Sequence, residues 1–209
     1  MSKTNPSPKI KAVFFDMGGV MVPSSVNKIS KIIEEIFEIK EFSLLDPRHA
    51  FFSDLFYYFE TGKISEKKLW EEFARKINKK LPSSWPRIFD DPLKKAKIRS
   101  KMKRLVFYLK EKEVKTAILS NVSEPFTQRH FRLGHYQIFD HLILSHKVGF
   151  RKPDIRIYHH ALSVVEVQPQ ESVFIDDLKE NVDAGKKLGM KGIIYRNTDQ
   201  VWREIENFL

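Results

Sequence analysis

Six polar side chains stand out in this sequence because each follows a short apolar run or opens the helix that comes after one. These side chains are Asp16, Ser120, Asn121, Lys152, Asp176 and Asp177. Short apolar runs bounded by polar residues are typical of buried strands. In open parallel sheets the carboxyl ends of the strands meet at one edge, where ligands bind. We therefore expect carboxylates, a hydroxyl and an ammonium group to lie together at that edge.

This combination of side chains suits phosphate chemistry. Carboxylates that lie close together repel one another unless a hard cation separates them, and Mg²⁺ prefers oxygen ligands and keeps several waters. Such an ion and Lys152 would together neutralise a phosphoryl group, to which Ser120 can donate a hydrogen bond. Backbone N–H groups in the turn at Gly18 and Gly19 can also point at phosphate oxygens. One aspartate can then attack phosphorus in line and form an aspartyl-phosphate.

Strand and helix patterns alternate over the second half of the chain. The predicted strands cover residues 10–15, 115–119, 141–144, 172–175 and 192–195. The predicted helices cover residues 92–112, 125–133, 153–165, 179–188 and a C-terminal segment that ends at Leu209. Repeated alternation of this kind predicts an α/β fold, a Rossmann-like doubly wound parallel sheet with helices on both faces.

Between about residue 24 and residue 110 the sequence shows no strand pattern. Asp46-Pro47 has the form of a helix N-cap followed by proline, Gly62 can end the next helix, and Ser65 can cap another. The predicted domains are therefore an α/β core of residues 8–22 and 100–209 and an α-helical cap of residues 23–99, inserted after the first strand.

Four segments resemble the motifs of the haloacid dehalogenase-like hydrolases. They are VFFDMGGV at 13–20, LSN at 119–121, GFRKPD at 149–154 and VFIDD at 173–177. The resemblance implies that Asp16 is the nucleophile, that the Ser120 hydroxyl binds phosphate, and that Lys152 steadies both. The segment ETGKIS at 60–65 resembles the branch of the family that contains epoxide-hydrolase N-terminal phosphatase domains and a sugar-1-phosphate phosphatase.

The same resemblance implies a magnesium site and a phosphate site. The Mg²⁺ ligands would be Asp16, the backbone carbonyl of Gly18, Asp176 and Asp177. The phosphate-binding residues would be Gly18, Gly19, Ser120, Asn121 and Lys152. The implied activity is Mg²⁺-dependent hydrolysis of a small phosphorylated metabolite through an aspartyl-phosphate.

Gly18 is a departure from the family pattern, which usually places a second aspartate here as general acid and base. Help from such a group is typically worth about 10²–10⁴ in rate. We therefore expect a preference for good leaving groups such as sugar 1-phosphates. The alternatives are a dehalogenase-type hydrolase that uses Asp16, against which Asp176-Asp177 argues, and a catalytically weakened binding or regulatory member of the family.

Composition sets the remaining expectations. The 209-residue chain has no cysteine, which excludes disulfides and thiolate chemistry, and it carries a formal net charge of +10. We interpret this charge as solvated basic faces, including the Lys94–Arg104 cluster, and expect no nucleic-acid partner and no membrane span. The expected location is the cytoplasm. Four of the histidines, at 130, 135, 141 and 146, are scattered, and no metal-ligand spacing connects them.

Overall fold

The computed structural model describes residues 9–44, 50–90, 94 and 96–209, and its centre is a five-stranded parallel sheet. The strands are β1 Ala12–Phe15, β2 Lys115–Ser120, β3 His141–Leu144, β4 Ser172–Asp176 and β5 Lys191–Ile194. Their order across the sheet is β3-β2-β1-β4-β5, so β1 lies in the middle. Each predicted strand is present to within two residues, and the predicted Rossmann-like α/β fold is confirmed.

Ten α-helices accompany the strands in the described ranges. Four lie between β1 and β2 as an insert: α1 Val26–Phe37, α2 Ala50–Glu60, α3 Glu66–Lys76 and α4 Arg87–Asp90. The others are α5 Ser100–Glu111, α6 Glu124–Arg132, α7 Ser145–Val148, α8 Ile155–Val165, α9 Lys179–Lys187 and α10 Thr198–Glu206. Within the described part of the chain, no helix is long and apolar enough to cross a membrane.

Alternation along the strands divides the core into two apolar layers. Val13 and Phe15 belong to one buried cluster, and Phe14 between them belongs to the other. Successive strand side chains point to opposite faces, so a strand that is apolar throughout requires cover on both faces. All four residues of β1 are fully buried, which fits its central place in the sheet.

The helical insert has an apolar core of its own, which is dominated by aromatic rings. Trp70 and Phe73 on α3 are fully buried and pack with Phe37 from α1 and Phe52 from α2. Ser65 caps α3, as predicted, by accepting a hydrogen bond from Lys68 N at 3.2 Å. The predicted cap at Asp46-Pro47 lies outside the described residues.

Several helix boundaries differ from the predictions. Helix α5 begins at Ser100 rather than at 92, because Arg99 has non-helical backbone angles and donates its N–H to Met21 O at 2.9 Å. Helix α8 begins at Ile155 rather than at 153, because the Asp154 side chain caps it by accepting from Arg156 N at 2.9 Å. The short helices α4 and α7 were not predicted, since four residues carry no readable period.

Candidate active site

Asp16 lies at the centre of the carboxyl edge of the sheet. It follows β1 directly, is 8% exposed, and extends the strand ladder by donating its N–H to Ile175 O at 2.9 Å. The register pairs Phe15 with Ile118 on β2 and with Ile175 on β4. The next residues of the three strands therefore adjoin one another, which brings Asp176 beside Asp16 as the sequence predicts.

Lys152 reaches this edge from the loop between α7 and α8. Its Nζ donates to Asp16 Oδ1 at 2.6 Å, to Asp176 Oδ2 at 2.7 Å and to Leu119 O at 2.8 Å. A lysine ammonium has three donors, so all of them are used. Because the side chain is 1% exposed, its charge acts on both carboxylates with little screening by water.

Asn121 fixes the backbone of Lys152. Its Oδ1 accepts from Lys152 N at 2.8 Å, and its Nδ2 donates to Lys152 O at 2.9 Å. Asn121 was predicted to bind phosphate, and each polar atom of its side chain already makes one of these two bonds. One N–H of Nδ2 remains for a further acceptor.

Asp176 and Asp177 are neighbours with opposite surroundings. Asp176 is fully buried, and its carboxylate accepts from Lys152, from Leu178 N at 2.8 Å and from Asn181 Nδ2 at 3.1 Å. Asp177 is exposed, and no ion pair to its carboxylate occurs within the described ranges. Of these two acids, Asp177 is therefore the one whose carboxylate oxygens remain available to a ligand.

The turn after Asp16 uses its two glycines differently. Gly19 has φ +86°, which favours glycine, and a Cβ there would lie 2.1 Å from Asp177 Oδ2, so a larger residue would displace that carboxylate. Gly19 was predicted to offer its N–H to phosphate, but that group donates to Val22 O at 2.8 Å. Among the described residues, the N–H groups of Met17 and Gly18 have no partner. They are therefore the backbone donors of this turn that remain available for phosphate. Gly18 is exposed, and a Cβ there would meet no atom within 4 Å.

Ser120 is the last residue of β2 and lies at the same edge of the sheet. It is 3% exposed, and in the described part of the chain its hydroxyl has no hydrogen-bond partner. Arg99 was not predicted as a site residue, and it holds the backbone of the glycine turn. Its guanidinium donates to Val20 O at 3.1 Å and to Gly19 O at 3.4 Å.

The electrostatics of this edge are dominated by an excess of carboxylates. Burial raises the pKa of Asp16 to about 7, the charges of Asp176 and Asp177 add to this, and Lys152 opposes it. Burial alone would lower the pKa of Lys152, but the adjacent charges of Asp16 and Asp176 raise it above its usual value. The pKa of Asp177 is also raised, chiefly because its carboxyl group is partly desolvated and then because of the charge of Asp176. One ammonium therefore does not balance three acids.

An oxygen-preferring divalent cation fits this donor set. Within the described ranges, no three acidic or histidine side chains converge closely enough to enclose a metal by themselves. Mg²⁺ does not require this, because it is usually bound through one or two carboxylates and keeps several waters. The unpaired Asp177 carboxylate beside Asp16 and the open space at Gly18 meet that requirement.

The helical insert contacts this edge through the end of α2. Glu60 is half-buried, and its Oε2 accepts from Arg151 Nη1 at 2.6 Å. Its backbone carbonyl accepts from Ser145 Oγ at 2.6 Å. Gly62, with φ +71°, passes so close to His146 O that a Cβ would lie 2.5 Å from it. Arg151 precedes Lys152, so this contact adjoins the phosphate-binding candidate.

The interpretation of the histidines as scattered was wrong for two of them. His130 Nδ1 lies 2.8 Å from His135 Nδ1, and His135 Nε2 lies 3.1 Å from Ala96 O. The chain reverses after α6 at Gly134, which has φ +71°, and this turn returns His135 to His130. Burial lowers the pKa of His130 to about 3 and also lowers the pKa of His135.

The fold and this acidic edge define a Rossmann-like α/β protein with a candidate ligand site at the carboxyl ends of the strands. The sequence matches the family model described as haloacid dehalogenase-like hydrolase over residues 10–189. The chain belongs to this family, as the four sequence motifs imply, and is a hydrolase of it.

Two curated relatives are similar over most of their length. A sesquiterpene phosphatase of Aspergillus oryzae is 28% identical over 186 residues, which cover 88% of each chain. A D-ribitol-5-phosphate phosphatase of Bacteroides thetaiotaomicron is 27% identical over 189 residues, which cover 87% of this chain and 90% of the relative.

A solved structure shares the fold. It is a haloacid dehalogenase-family enzyme of Bacteroides thetaiotaomicron in complex with magnesium and inorganic phosphate, with a TM-score of 0.65 and 20% identity. The superposition covers 88% of this chain and 93% of that one. At this identity the likeness speaks for the fold alone.

Proposed function

We propose that this protein is a Mg²⁺-dependent phosphatase that hydrolyses a small phosphorylated metabolite through an aspartyl-phosphate on Asp16. The observation that carries the proposal is the contact of 2.6 Å between Lys152 Nζ and Asp16 Oδ1, beside the unpaired carboxylate of Asp177. The names of the two curated relatives, both phosphatases, support the reaction class.

Asp16 is the nucleophile in this proposal. Lys152 holds its Oδ1, and among the described residues its Oδ2 has no partner, so Oδ2 is the oxygen placed to attack. Its attack on phosphorus forms the Asp16 O–P bond as the P–O bond to the leaving group breaks. Water then attacks the same phosphorus, which releases inorganic phosphate and restores the carboxylate.

The substrate phosphoryl group is bound by the chain's own donors. The Ser120 hydroxyl and the N–H groups of Met17 and Gly18 lie at this edge without a partner among the described residues, and the charge of Lys152 contacts Asp16. Such donors stabilise the charge that develops on the phosphoryl oxygens in the transition state. Asn121 acts indirectly, by fixing Lys152.

We assign the metal to Asp16, Asp177 and the backbone carbonyl of Gly18. When bound, Mg²⁺ supplies positive charge that offsets the carboxylates and the phosphoryl oxygens. Asp176 and Asp177 were both predicted as ligands, with the principal one of the two left open. The hydrogen bonds of Asp176 to Lys152, Leu178 and Asn181 give it a different part in the proposal. It fixes Lys152, and Asp177 is the principal acidic ligand of the pair.

The first test is a phosphate-release assay over sugar phosphates, nucleotides and acyl phosphates. We expect activity with Mg²⁺, none in excess chelator, and recovery when Mg²⁺ is restored. Unchanged release in chelator would remove the metal from the proposal. Asp177→Asn should lower Mg²⁺ affinity more than Asp183→Asn, a control on α9 whose partner is Lys179.

The finer part of the proposal is a preference for good leaving groups, of which sugar 1-phosphates are one example. Gly18 offers no proton to a departing alkoxide, whereas an anomeric, acyl or aryl oxygen leaves with less help. Rates should therefore depend strongly on leaving-group pKa across a series of esters. Gly18→Asp should raise the rate for alkyl phosphates, since a Cβ there meets no atom within 4 Å. A flat series would show that another acid replaces the missing one.

Dehalogenation is the second candidate, because the family's name includes it and Asp16 could attack carbon. The paired acids and the uncompensated negative charge argue against it, since displacement of halide needs no metal ion. A binding or regulatory member without turnover is a third reading, motivated by Gly18. Phosphate release that depends on Mg²⁺ would favour the phosphatase over both of these alternatives.

We also propose that residues 23–99 form the cap over this edge, with the contact between Glu60 and Arg151 as its attachment. A cap there favours small metabolites over polymers, and we expect no nucleic-acid substrate. Submicromolar binding to an oligonucleotide at physiological salt would contradict this, because such binding normally weakens steeply as salt rises.

A further inference from the structure

A second concave surface lies away from the acidic edge, between the start of α5 and the turn after α6. This α5–α6 cleft has a volume of ≈ 860 Å³ and shares no residue with the candidate active site. Ligand-binding pockets commonly have volumes of about 300–1,000 Å³. The cleft is lined by residues of α5, by residues 96–98 before that helix, and by residues 133–138 after α6.

The charges that line the cleft have one sign. Lys97, Lys103 and Arg104 are exposed there, and no carboxylate lines the cleft within the described ranges. None of these three cations has an ion pair in the described part of the chain.

Other cations on α5 behave differently. Lys101 pairs with Asp199 at 2.7 Å, and Lys110 pairs with Asp140 at 2.7 Å. On α5, the ion-paired Lys101 and Lys110 therefore lie outside the cleft, whereas Lys103 and Arg104, which have no ion pair among the described residues, line it.

The floor of the cleft is apolar and unusually open to solvent. Phe107 is 44% exposed and Leu133 is 37% exposed, and both line the cleft together with Ile98 and Ile138. Exposed large apolar side chains grouped within a concave, charged rim mark interaction sites more often than isolated ones do. The buried His135 supports one wall through its contact with Ala96 O.

We propose that the α5–α6 cleft binds a small amphipathic anion, with one carboxylate, phosphate or sulfonate head and an alkyl or aromatic body. The head would pair with Lys103 and Arg104, and the body would lie on Phe107 and Leu133. A nucleic-acid backbone fits less well, because it needs a track of cations and gains nothing from an apolar floor. The site is independent of the proposed reaction.

The test is calorimetric titration of the full chain with decanoate, kept below its micellar concentration. Acetate supplies the head alone and 1-decanol the tail alone. We expect saturable binding of one decanoate, with at least about tenfold weaker binding of either fragment. Equal binding of acetate would reduce the site to surface charge, and equal binding of decanol would reduce it to an apolar patch. Either result would overturn the proposal.

Matched variants locate the site. Lys103→Ala/Arg104→Ala should weaken decanoate binding by about tenfold or more, whereas Lys186→Ala/Lys187→Ala, which removes the same charge from α9, should leave it unchanged. Leu133→Ser should weaken binding, and Val164→Ser, at a site of similar exposure (40%) on α8, should not. Equal effects within either pair would contradict the proposal.

Two further measurements exclude other occupants and the active site. Asp16→Asn should bind decanoate as the unaltered protein does, since the cleft shares no residue with the catalytic edge. An oligonucleotide or an anionic phospholipid vesicle that displaces decanoate, binds more tightly, and is lost in Lys103→Ala/Arg104→Ala would assign the cleft to a macromolecular surface instead. That outcome would also overturn the proposal.

Discussion

The carboxyl edge of the sheet and the helical insert are stabilised in contrasting ways. At the edge, buried charges are held by short polar contacts, with Lys152 between Asp16 and Asp176 at 2.6 and 2.7 Å. In the insert, aromatic rings pack on one another, and Trp70 and Phe73 are fully buried without an ionic partner. The edge therefore has the preorganised electrostatics that chemistry requires, whereas the insert offers shape and apolar surface.

This contrast suggests a division of roles between the two regions. Reaction chemistry should depend on a few polar atoms at the edge, and their removal should cost activity with little effect on folding. Changes within the insert should cost stability or substrate affinity and leave the chemical step intact.

Asp16→Asn should reduce phosphate release by about 10⁴-fold or more, because an amide of similar shape is a poor nucleophile. The protein should remain folded, with an unchanged far-UV circular dichroism spectrum. Asp183→Asn is the control, since that acid is paired with Lys179 on the surface of α9. An active Asp16→Asn protein would place the nucleophile elsewhere.

Trp70→Ala should lower the free energy of unfolding by about 3–5 kcal/mol, because it leaves a cavity among the aromatic rings of the insert. Tyr58→Ala on α2, where the side chain is 46% exposed, should change it by only about 0.5 kcal/mol. Urea unfolding measures both. If the two variants proved equally mild, the insert would not depend on its aromatic core.

The buried pair His130–His135 should make the protein sensitive to acid. Burial lowers the pKa of His130 from 6.5 to about 3, so between these values the unfolded chain binds more protons than the folded one. The stability from this group is complete above pH 6.5 and is lost as pH falls through that window. The loss is about 1.4 kcal/mol for each pH unit and each histidine kept neutral.

His130→Phe should flatten that dependence, which can be measured as the free energy of unfolding at pH 7 and at pH 5. The exposed His160→Phe is the matched control and should leave the slope as it is. A slope unaltered in His130→Phe would mean that other groups cause the acid sensitivity.

Glu60→Gln tests the attachment of the insert to the edge. The pair of Glu60 with Arg151 is largely buried, with side-chain exposures of 13% and 29%. Loss of the negative charge on Glu60 should weaken substrate binding by about 1 kcal/mol. This corresponds to a roughly fivefold rise in KM with kcat nearly unchanged. Glu71→Gln, on the exposed face of α3 with a side-chain exposure of 44%, should change neither. A large fall in kcat would place Glu60 in the chemistry and weaken the division of roles.

The sequence predicted which residues lie at the carboxyl edge of the sheet better than it predicted the hydrogen bonds that hold them there. The strands could be predicted because buried parallel strands are continuously apolar, and their ends gave Asp16, Ser120 and Asp176. The clustering of these residues followed from the sheet, since strand ends converge whatever the length of the chain between them.

What could not be predicted depends on contacts between distant segments. Nothing local indicates that Asn121 holds the backbone of Lys152, that the Gly19 N–H is used by Val22, or that Arg99 fastens the glycine turn. The pairing of His130 with His135 depends on a left-handed turn at Gly134, and glycine alone does not specify where the chain returns.

The most direct test of the central claim is to identify the covalent intermediate. The protein would be mixed with Mg²⁺ and an excess of an aryl phosphate, quenched in acid within milliseconds, digested, and analysed by mass spectrometry. We predict one added phosphoryl group on the peptide that contains Asp16, absent in Asp16→Asn and absent when chelator replaces Mg²⁺. Phosphate release with the phosphoryl group on another residue, or with no phosphorylated peptide in a burst phase, would contradict Asp16 as the nucleophile.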